Sequence, residues 1–103
     1  MSDTTPVSGI AETDRVRLAA GVMLRYDRRR EQWMLIAPER LLVLDEMALA
    51  IVRACCTDPE LGSGVVGTVI DRLAAEYDAP RGEIAADVLE LLTNLRNTGY
   101  LTS

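Results

Sequence analysis

The stretch Arg40 to Leu44, which reads RLLVL, places four apolar residues in succession just after Pro38 and Glu39. A strand with one buried face alternates apolar and polar residues, whereas this run is apolar on both faces. Such a strand needs apolar cover on both sides. In a chain of 103 residues, helices of the same chain cover one side. The sequence leaves open whether the other side and the edge are covered by another helix or the N-terminal tail of this chain, or by another molecule.

Two further strands are predicted before this leucine-rich strand (residues 40–44). From Arg15 to Tyr26 apolar and polar residues alternate, which predicts a strand with one buried face. Gly21 in its middle predicts a bend that divides it. The short polar loop 27–31 predicts an antiparallel return through residues 32–37. We therefore expect a three-stranded antiparallel sheet with the leucine-rich strand as its third member.

Three amphipathic helices are predicted after the sheet, because apolar residues recur there at three- and four-residue spacing. Asp45 has the residue type and the position of a helix N-cap, and Gly99 suits the C′ position after the last helix. The order of three strands and then three helices predicts an α+β fold with a winged-helix-like arrangement. The predicted helices run from Glu46 to Cys56, from the cap Ser63 to Tyr77, and from Glu83 to Asn97.

The length predicts a single domain. Residues 1–14 are rich in Ser, Thr, Pro and Gly, and we expect a disordered N-terminal tail or linker there, with the folded domain over residues 15–103. No apolar run approaches the ~20 residues that cross a bilayer. The first residues also lack the basic and apolar parts of a secretion signal. We therefore expect a cytoplasmic protein without a membrane partner.

The charge of the chain disfavours nucleic acid as a partner. The net charge is −5, and all basic residues are Arg, whereas phosphate binding needs cations clustered on one face. The one such cluster, Arg28 to Arg30, falls in the predicted hairpin loop and is interpreted as a solvated turn. The order of the helices still permits a winged-helix DNA-binding regulator, which stays as an alternative. A structural domain that associates with itself through the leucine-rich strand is another.

The sequence offers no constellation for catalysis, cofactor or metal. It contains no His, which removes the commonest general base and metal ligand. Cys55 and Cys56 are neighbours in sequence, a spacing that disfavours a disulfide. We interpret them as small buried apolar residues, with a redox or metal role as the alternative. The G-x-G-x-x-G match at residues 62–67 has no strand before it, so we interpret it as a flexible start to the second helix.

Three stretches of the sequence carry a resemblance to a known family. The stretches LRYDRRREQWMLIAPERLLVLDEMALAIV, VIDRLAAEYDAP and IAADVLELLTNLRNTGYL resemble the pyrroloquinoline quinone (PQQ) biosynthesis protein D family, PqqD. The signature Pro38-Glu39-Arg40 and the pair Asp87-Val88 are its clearest parts, and the likeness covers roughly residues 15–101. The connector CCTDPELGSG departs from the family, because it is longer than the usual short Asp-Gly turn.

This resemblance implies a peptide chaperone without a cofactor and not an enzyme. PqqD-like domains bind the precursor peptide PqqA and present it to the radical SAM enzyme PqqE, which cross-links a Glu and a Tyr of the peptide. In related recognition elements the leader peptide adds as a strand beside the third strand, next to the third helix. The implied peptide-binding residues are Arg40, Leu41, Leu42, Val43 and Leu44 on the strand, and Asp87, Val88, Leu91 and Leu95 on the helix.

Two questions about this implied site stay open in the sequence. The apolar candidates on the third helix share one stripe with its core residues, so some of them must be core. Arg40 and Asp87 would either orient the peptide by charge or be solvated. A homodimer formed through the leucine-rich strand also stays open.

Overall fold

The computed structural model describes residues 9–57 and 65–102. The first eight residues of the predicted tail, most of the connector and the predicted cap Ser63 lie outside the described residues. In chain order the elements are β1 (Arg17–Leu18), β2 (Met23–Asp27), β3 (Gln32–Ala37), β4 (Arg40–Leu44), α1 (Glu46–Val52), a π-helical turn (Arg53–Thr57), α2 (Val66–Tyr77), α3 (Arg81–Asn97) and β5 (Leu101–Thr102).

The main sheet has the strand order β2-β3-β4 and is antiparallel throughout. The three helices follow it in sequence, so the predicted α+β fold with a three-stranded sheet and three helices is confirmed. The loop between β3 and β4 consists of Pro38 and Glu39 alone, because Ala37 stands opposite Arg40 in the register. The leucine-rich strand is β4, with the bounds that the sequence predicted.

The strand predicted from Arg15 to Tyr26 is divided at Gly21, as its position suggested. Gly21 has φ of +82°, a conformation that glycine adopts without strain. The amide of Val22 donates to the carbonyl of Ala19 at 3.0 Å, which closes a turn between β1 and β2. The first part, β1, then leaves the main sheet and pairs with β5 in a second, two-stranded sheet. Two-residue strands are too short to show a period, so the sequence did not predict this sheet.

Asp45 caps α1 as predicted, because its Oδ1 accepts a hydrogen bond from the amide of Ala48 at 2.7 Å. The α-helix ends at Val52, and the chain continues as a π-helical turn through Cys55 and Cys56. The predicted helix therefore reaches its expected end with a changed hydrogen-bond pattern in its last turn. Such π-turns are wider than α-helical turns and are frequent at functional sites.

The end of α3 has the geometry that Gly99 predicted. The amide of Tyr100 donates to the carbonyl of Leu95 at 2.8 Å, and the amide of Gly99 donates to that of Arg96 at 3.1 Å. These two bonds form a Schellman motif, which needs a left-handed residue at C′, and Gly99 has φ of +92°. The chain turns back here, so Tyr100 and Leu101 become buried against the core.

Residues 9–14, which belong to the stretch expected to form a tail or linker, pack against the helices. Ile10 is buried in the core, and Arg81 pairs with the Glu12 carboxylate at 2.6 Å. The amides of Val66 and Gly67 donate to the carbonyls of Asp14 and Glu12 at 3.0 and 2.8 Å. Because α2 has no side-chain cap, these carbonyls satisfy its first turn. The packed part of the chain thus includes residues before the predicted boundary at residue 15.

One core joins the inner face of the main sheet to the helices. No polar or charged residue is buried among those that the structure describes. No helix within residues 9–57 and 65–102 is long and apolar enough to cross a membrane. The side chains with the least exposure are Leu35, Ile51, Val52, Val66, Val69, Ile70, Val88 and Leu92.

Candidate functional site

Strand β4 forms one edge of the main sheet. It pairs with β3 on one side, and no strand within the described part of the chain pairs with its other side. Ala37 and Arg40 flank a two-residue loop and therefore form a hydrogen-bonded pair. Hydrogen-bonded and non-hydrogen-bonded pairs alternate along an antiparallel ladder. The backbone groups of Leu42 thus point to β3, whereas those of Leu41 and Val43 point to the open edge.

The side chains of β4 divide between its two faces. Leu44 is buried and Leu42 is partly buried against the core, so the inner face is covered by this chain. Leu41 and Val43 lie on the outer face and are 52% and 41% exposed. Among the described residues, the chain thus covers the inner face of this apolar strand, whereas its outer face is partly exposed and its edge has no partner strand.

The exposed apolar surface continues from β4 across the outer face of the sheet. The register places Leu41 opposite Ile36 and Ile36 opposite Met23, whose side chain is 51% exposed. Met34, opposite Val43, is only 4% exposed although it does not belong to the core cluster.

The predicted helix residues also divide into buried and accessible ones. Val88 and Leu95 are buried in the core, as is Leu44 on the strand, so these three are not exposed to a peptide here. Leu91 is partly buried and Asp87 is exposed. The sequence could not separate them because all the apolar candidates share the same stripe at helical spacing. Burial places Asp87 and Leu91 at the margin of that stripe.

Arg40 connects the start of β4 with the end of α3. Its Nη2 donates a hydrogen bond to the carbonyl of Thr98, the C-cap residue of α3. Thr98 lies eleven positions after Asp87 and seven after Leu91, so the three residues share one side of the helix. Arg40 therefore links the start of β4 to the C-terminal end of α3, the helix that carries Leu91 and Asp87.

The guanidinium of Arg40 also lies over an aromatic ring. Its Cζ is 5.0 Å from the ring centroid of Tyr100, within the range of a cation–π interaction. A Cβ at Gly99 would be 2.9 Å from Arg40 Nη2, so the absence of a side chain at Gly99 gives the guanidinium its place. This end of the strand borders a cavity of about 460 Å³ that is lined by Ala20 and Val22, by residues 37–40 and by Gly99.

Sequence reasoning named Arg40 but missed its partners. No local pattern singles out Thr98, and Gly99 with Tyr100 indicates only the end of a helix. The hydrogen bond spans 58 positions, so no local spacing indicates it. A Gly-Tyr pair after a helix indicates a turn. It does not indicate that the Arg40 guanidinium lies over the Tyr100 ring.

The two cysteines are free thiols, with Cys55 buried and Cys56 partly buried. Burial raises the pKa of each thiol to about 12, and for Cys55 the neighbouring Cys56 adds to the rise. Both thiols thus stay protonated at neutral pH, which makes them poor nucleophiles and poor metal ligands. Among the residues that the structure describes, no group of His, Cys, Asp and Glu could hold a metal ion.

These features define a class of protein: a small α+β domain in whose described part an apolar sheet edge has no partner strand and is linked at its start to the end of a helix. Proteins that bind an extended peptide as an added strand have this arrangement, because the edge supplies unpaired backbone groups and its surroundings supply apolar contacts.

Comparisons with known proteins identify the family within that class. The sequence model of the family named Coenzyme PQQ synthesis protein D (PqqD) matches residues 32–101. A PqqA binding protein of Bradyrhizobium diazoefficiens is 41% identical over 93 residues, which cover 90% of this chain and 85% of that protein. A PqqA binding protein of Xanthomonas axonopodis pv. citri is 42% identical over 95 residues, covering 92% and 98%. The chain belongs to the PqqD family, which confirms the resemblance seen in the sequence.

Solved structures of relatives share the fold. The solution NMR structure of the PqqD truncation of Methylobacterium extorquens PqqCD has a TM-score of 0.73 at 33% identity, over 93% of this chain and 97% of that one. It is described as a functional and stand-alone recognition element for ribosomally synthesized and post-translationally modified peptides. The crystal structure of PqqD from Xanthomonas campestris has a TM-score of 0.50 at 38% identity, over 93% and 94% of the two chains.

Proposed function

We propose that this chain binds the precursor peptide PqqA as an extended strand along the open edge of β4 and presents it to the radical SAM enzyme PqqE. The observation that carries the proposal is the exposure of Leu41 and Val43 on a strand with no described neighbour on its outer edge. Relatives named PqqA binding protein support the choice of peptide. In this proposal the chain contributes binding and no bond-making step, and it works in the cytoplasm.

The geometry of strand addition predicts how the peptide is read. Its backbone would bond to the outward N–H and C=O groups of Leu41 and Val43, and this contact is tolerant of sequence. Its side chains would alternate between the two faces of the extended sheet. One set would lie beside Leu41 and Val43 on the outer face. The other set would lie on the inner side, where Leu91 and Asp87 of α3 are the accessible candidates.

The nine candidate residues therefore have different proposed roles. Leu41, Val43, Leu91 and Asp87 are proposed to contact the peptide, and Arg40 acts beside them at the start of β4. Leu42, Leu44, Val88 and Leu95 are proposed to support the strand and the helix from the core. This division follows burial, because a residue already packed in the core has little surface to offer a ligand.

The direct test is a titration of the isotope-labelled chain with a synthetic PqqA peptide, followed by amide NMR. The expected result is that the amides of Leu41 and Val43 shift most along β4, because they gain hydrogen bonds, and that the amide of Leu42 shifts less. Tyr26 on the opposite edge strand serves as an internal control and is expected to stay unchanged. Shifts confined to the hairpin loop 28–31, or no binding at all, would contradict the proposal.

The same open edge favours a second candidate, self-association of two copies through β4. An unpaired apolar edge pairs with another copy as readily as with a peptide unless something prevents it. Sedimentation velocity at several protein concentrations, with and without PqqA, distinguishes the two. If the peptide dissociates a dimer, both partners use the same edge. A dimer that persists with peptide bound is held together elsewhere.

The charge on α3 disfavours the DNA-binding alternative. In a winged-helix regulator a helix approaches the phosphates and needs cations on its exposed side. The exposed side of α3 instead carries Glu83, Asp87 and Glu90. An electrophoretic shift assay with duplex DNA at low salt is expected to show no complex.

A further inference from the structure

We propose that Arg40 is a positioning residue for peptide binding: it holds the start of β4 against the C-terminal end of α3 through Thr98 and Tyr100. This inference rests on the proposed function, and it assigns Arg40 a role that differs from a direct charge contact with the peptide. Thr98 and Tyr100 join the site as residues that act through Arg40.

The contacts of the guanidinium carry this inference. Arg40 Nη2 donates to the carbonyl of Thr98, which lies at the negative end of the α3 dipole, where a cation is favoured. The guanidinium carbon Cζ lies over the ring of Tyr100, 5.0 Å from its centroid, and that ring is buried in the core. The guanidinium thus donates a hydrogen bond while it lies over an aromatic ring, and its fixed fork and delocalised charge suit this pair of contacts better than the ammonium of Lys does.

The backbone at the end of α3 is shaped for this contact. Gly99 has φ of +92°, and a Cβ there would approach Arg40 Nη2 to 2.9 Å. The Schellman motif at Leu95 and Tyr100 directs the ring back towards β4 after the helix ends. Three successive residues, Thr98 to Tyr100, therefore form one receptor for a side chain that lies 58 positions earlier than Thr98.

The consequence for binding follows from where the two elements go. From this contact β4 runs from Arg40 to Leu44, and α3 runs back from Thr98 through Leu91 to Asp87. The contact is thus a fixed point common to the open edge and to the accessible side of the helix. A peptide strand that touches both surfaces needs their separation set before it binds, since preorganisation lowers the cost of ordering. Arg40 supplies that restraint outside the hydrogen-bonded ladder.

The test measures the Kd of synthetic PqqA, with the sequence from Bradyrhizobium diazoefficiens, for the whole chain and its variants. Tyr100→Leu removes the aromatic ring without changing residue 40. We expect this variant to bind PqqA about fivefold to tenfold more weakly, equal to ~1.0–1.4 kcal/mol. Tyr100→Phe keeps the ring and is the matched control, with an expected change below about twofold. Arg40→Lys keeps the charge but loses the fork and the stacking, and we expect a loss similar to that of Tyr100→Leu.

The double variant Arg40→Lys with Tyr100→Leu separates positioning from direct contact. If Arg40 acts through Tyr100, the double variant binds about as weakly as either single one, because one interaction has been removed twice. If Arg40 contacts the peptide by itself, the two losses multiply, and this result would overturn the proposal. Binding of Tyr100→Leu at the wild-type level would overturn it too.

Arg40→Met covers the case in which Tyr100→Leu does not fold, because position 40 is exposed. In the peptide-free protein this variant is expected to shift the amides of Val43 and Leu91, which are not its sequence neighbours. A peptide-free spectrum unchanged at both positions would overturn the proposal. A wild-type chain that fails to bind PqqA would overturn the proposed function itself, whereas a failure of the positioning role alone leaves wild-type binding intact.

Discussion

Leu41 on β4 lies directly opposite Ile36 on β3, and both side chains belong to the outer face of the sheet. The two residues form a non-hydrogen-bonded pair, in which side chains approach closely. Leu41 nevertheless keeps 52% of its surface exposed, because nothing in the described part of the chain lies beyond it. The pair marks where the chain's own packing ends and where the surface available to a partner begins.

The first prediction concerns the apolar contact at this pair. Leu41→Thr removes apolar surface but introduces a residue that favours strands. PqqA binding is therefore expected to weaken about fivefold. The free energy of unfolding is expected to change by less than about 0.5 kcal/mol. Met23→Thr is the matched control, because Met23 is equally exposed on the same face but lies on the opposite edge strand. Isothermal titration calorimetry gives both affinities. Equal losses in the two variants would indicate that the outer face as a whole, not the β4 edge, binds the peptide.

The second prediction uses proline to separate the two sides of β4. Val43→Pro removes an N–H that points to the open edge, where proline is tolerated, so the fold is expected to survive while PqqA binding weakens at least about tenfold. Leu42→Pro removes an N–H that points to β3 and leaves the Leu35 carbonyl without a donor, so it is expected to cost about 2–3 kcal/mol of unfolding free energy. Urea denaturation measures the stabilities. A Val43→Pro variant that binds normally would exclude backbone pairing at Val43.

Features of this structure could be predicted from the sequence where the interacting residues are close together in the chain. The β4 bounds, the Asp45 cap and the Gly99 turn were predictable, because each depends on residues a few positions apart. The small sheet of β1 and β5 was not, since its strands lie at the two ends of the domain and are too short to show a period.

The candidate site was predictable to the same extent. The leucine-rich strand, in which apolar and polar residues do not alternate, indicated a strand that needs apolar cover on both faces, and in the described sheet this strand is at the edge. Which residues of the α3 stripe are accessible depends on how α3 packs, and a 3.6-residue period reports only that one side is buried. The contact of Arg40 with Thr98 and Tyr100 depends on where two distant backbone ends meet, and local sequence does not encode that.

The third prediction concerns the adjacent free thiols of Cys55 and Cys56. Because burial raises the pKa of Cys55 and Cys56 to about 12, a disulfide-exchange reagent at pH 8 is expected to react slowly with the folded chain and quickly in urea. The pKa shift also sets a pH dependence of stability. Between pH 9 and 12 the unfolded thiols lose protons that the folded ones keep, so the free energy of unfolding falls as the pH rises, by at most about 1 kcal/mol per pH unit for each thiol.

Cys55→Ala provides the control for this prediction. The variant is expected to lose some stability at pH 7 through the small cavity it leaves, but its stability is expected to fall less steeply above pH 9 than that of the wild type. Urea unfolding at a series of alkaline pH values measures the two slopes. Parallel slopes, or rapid labelling of the folded chain, would show that the thiols are accessible and would reopen a redox role for this π-helical turn.

The fourth prediction concerns the segment that packs before residue 15. The hydrogen bond from Arg81 holds the pKa of the Glu12 carboxyl below its usual value of 4.5, and Arg81 also contacts Asp71 of α2. Because the folded state binds the ionised form better, Glu12 stabilises the fold above pH 4.5, and this contribution disappears as the pH falls through the lowered pKa. Glu12→Gln is therefore expected to melt at a lower temperature than the wild type at pH 7, with the difference shrinking towards pH 3. A difference that stays constant with pH would mean that packing of the segment, and not the ion pair, sets its contribution.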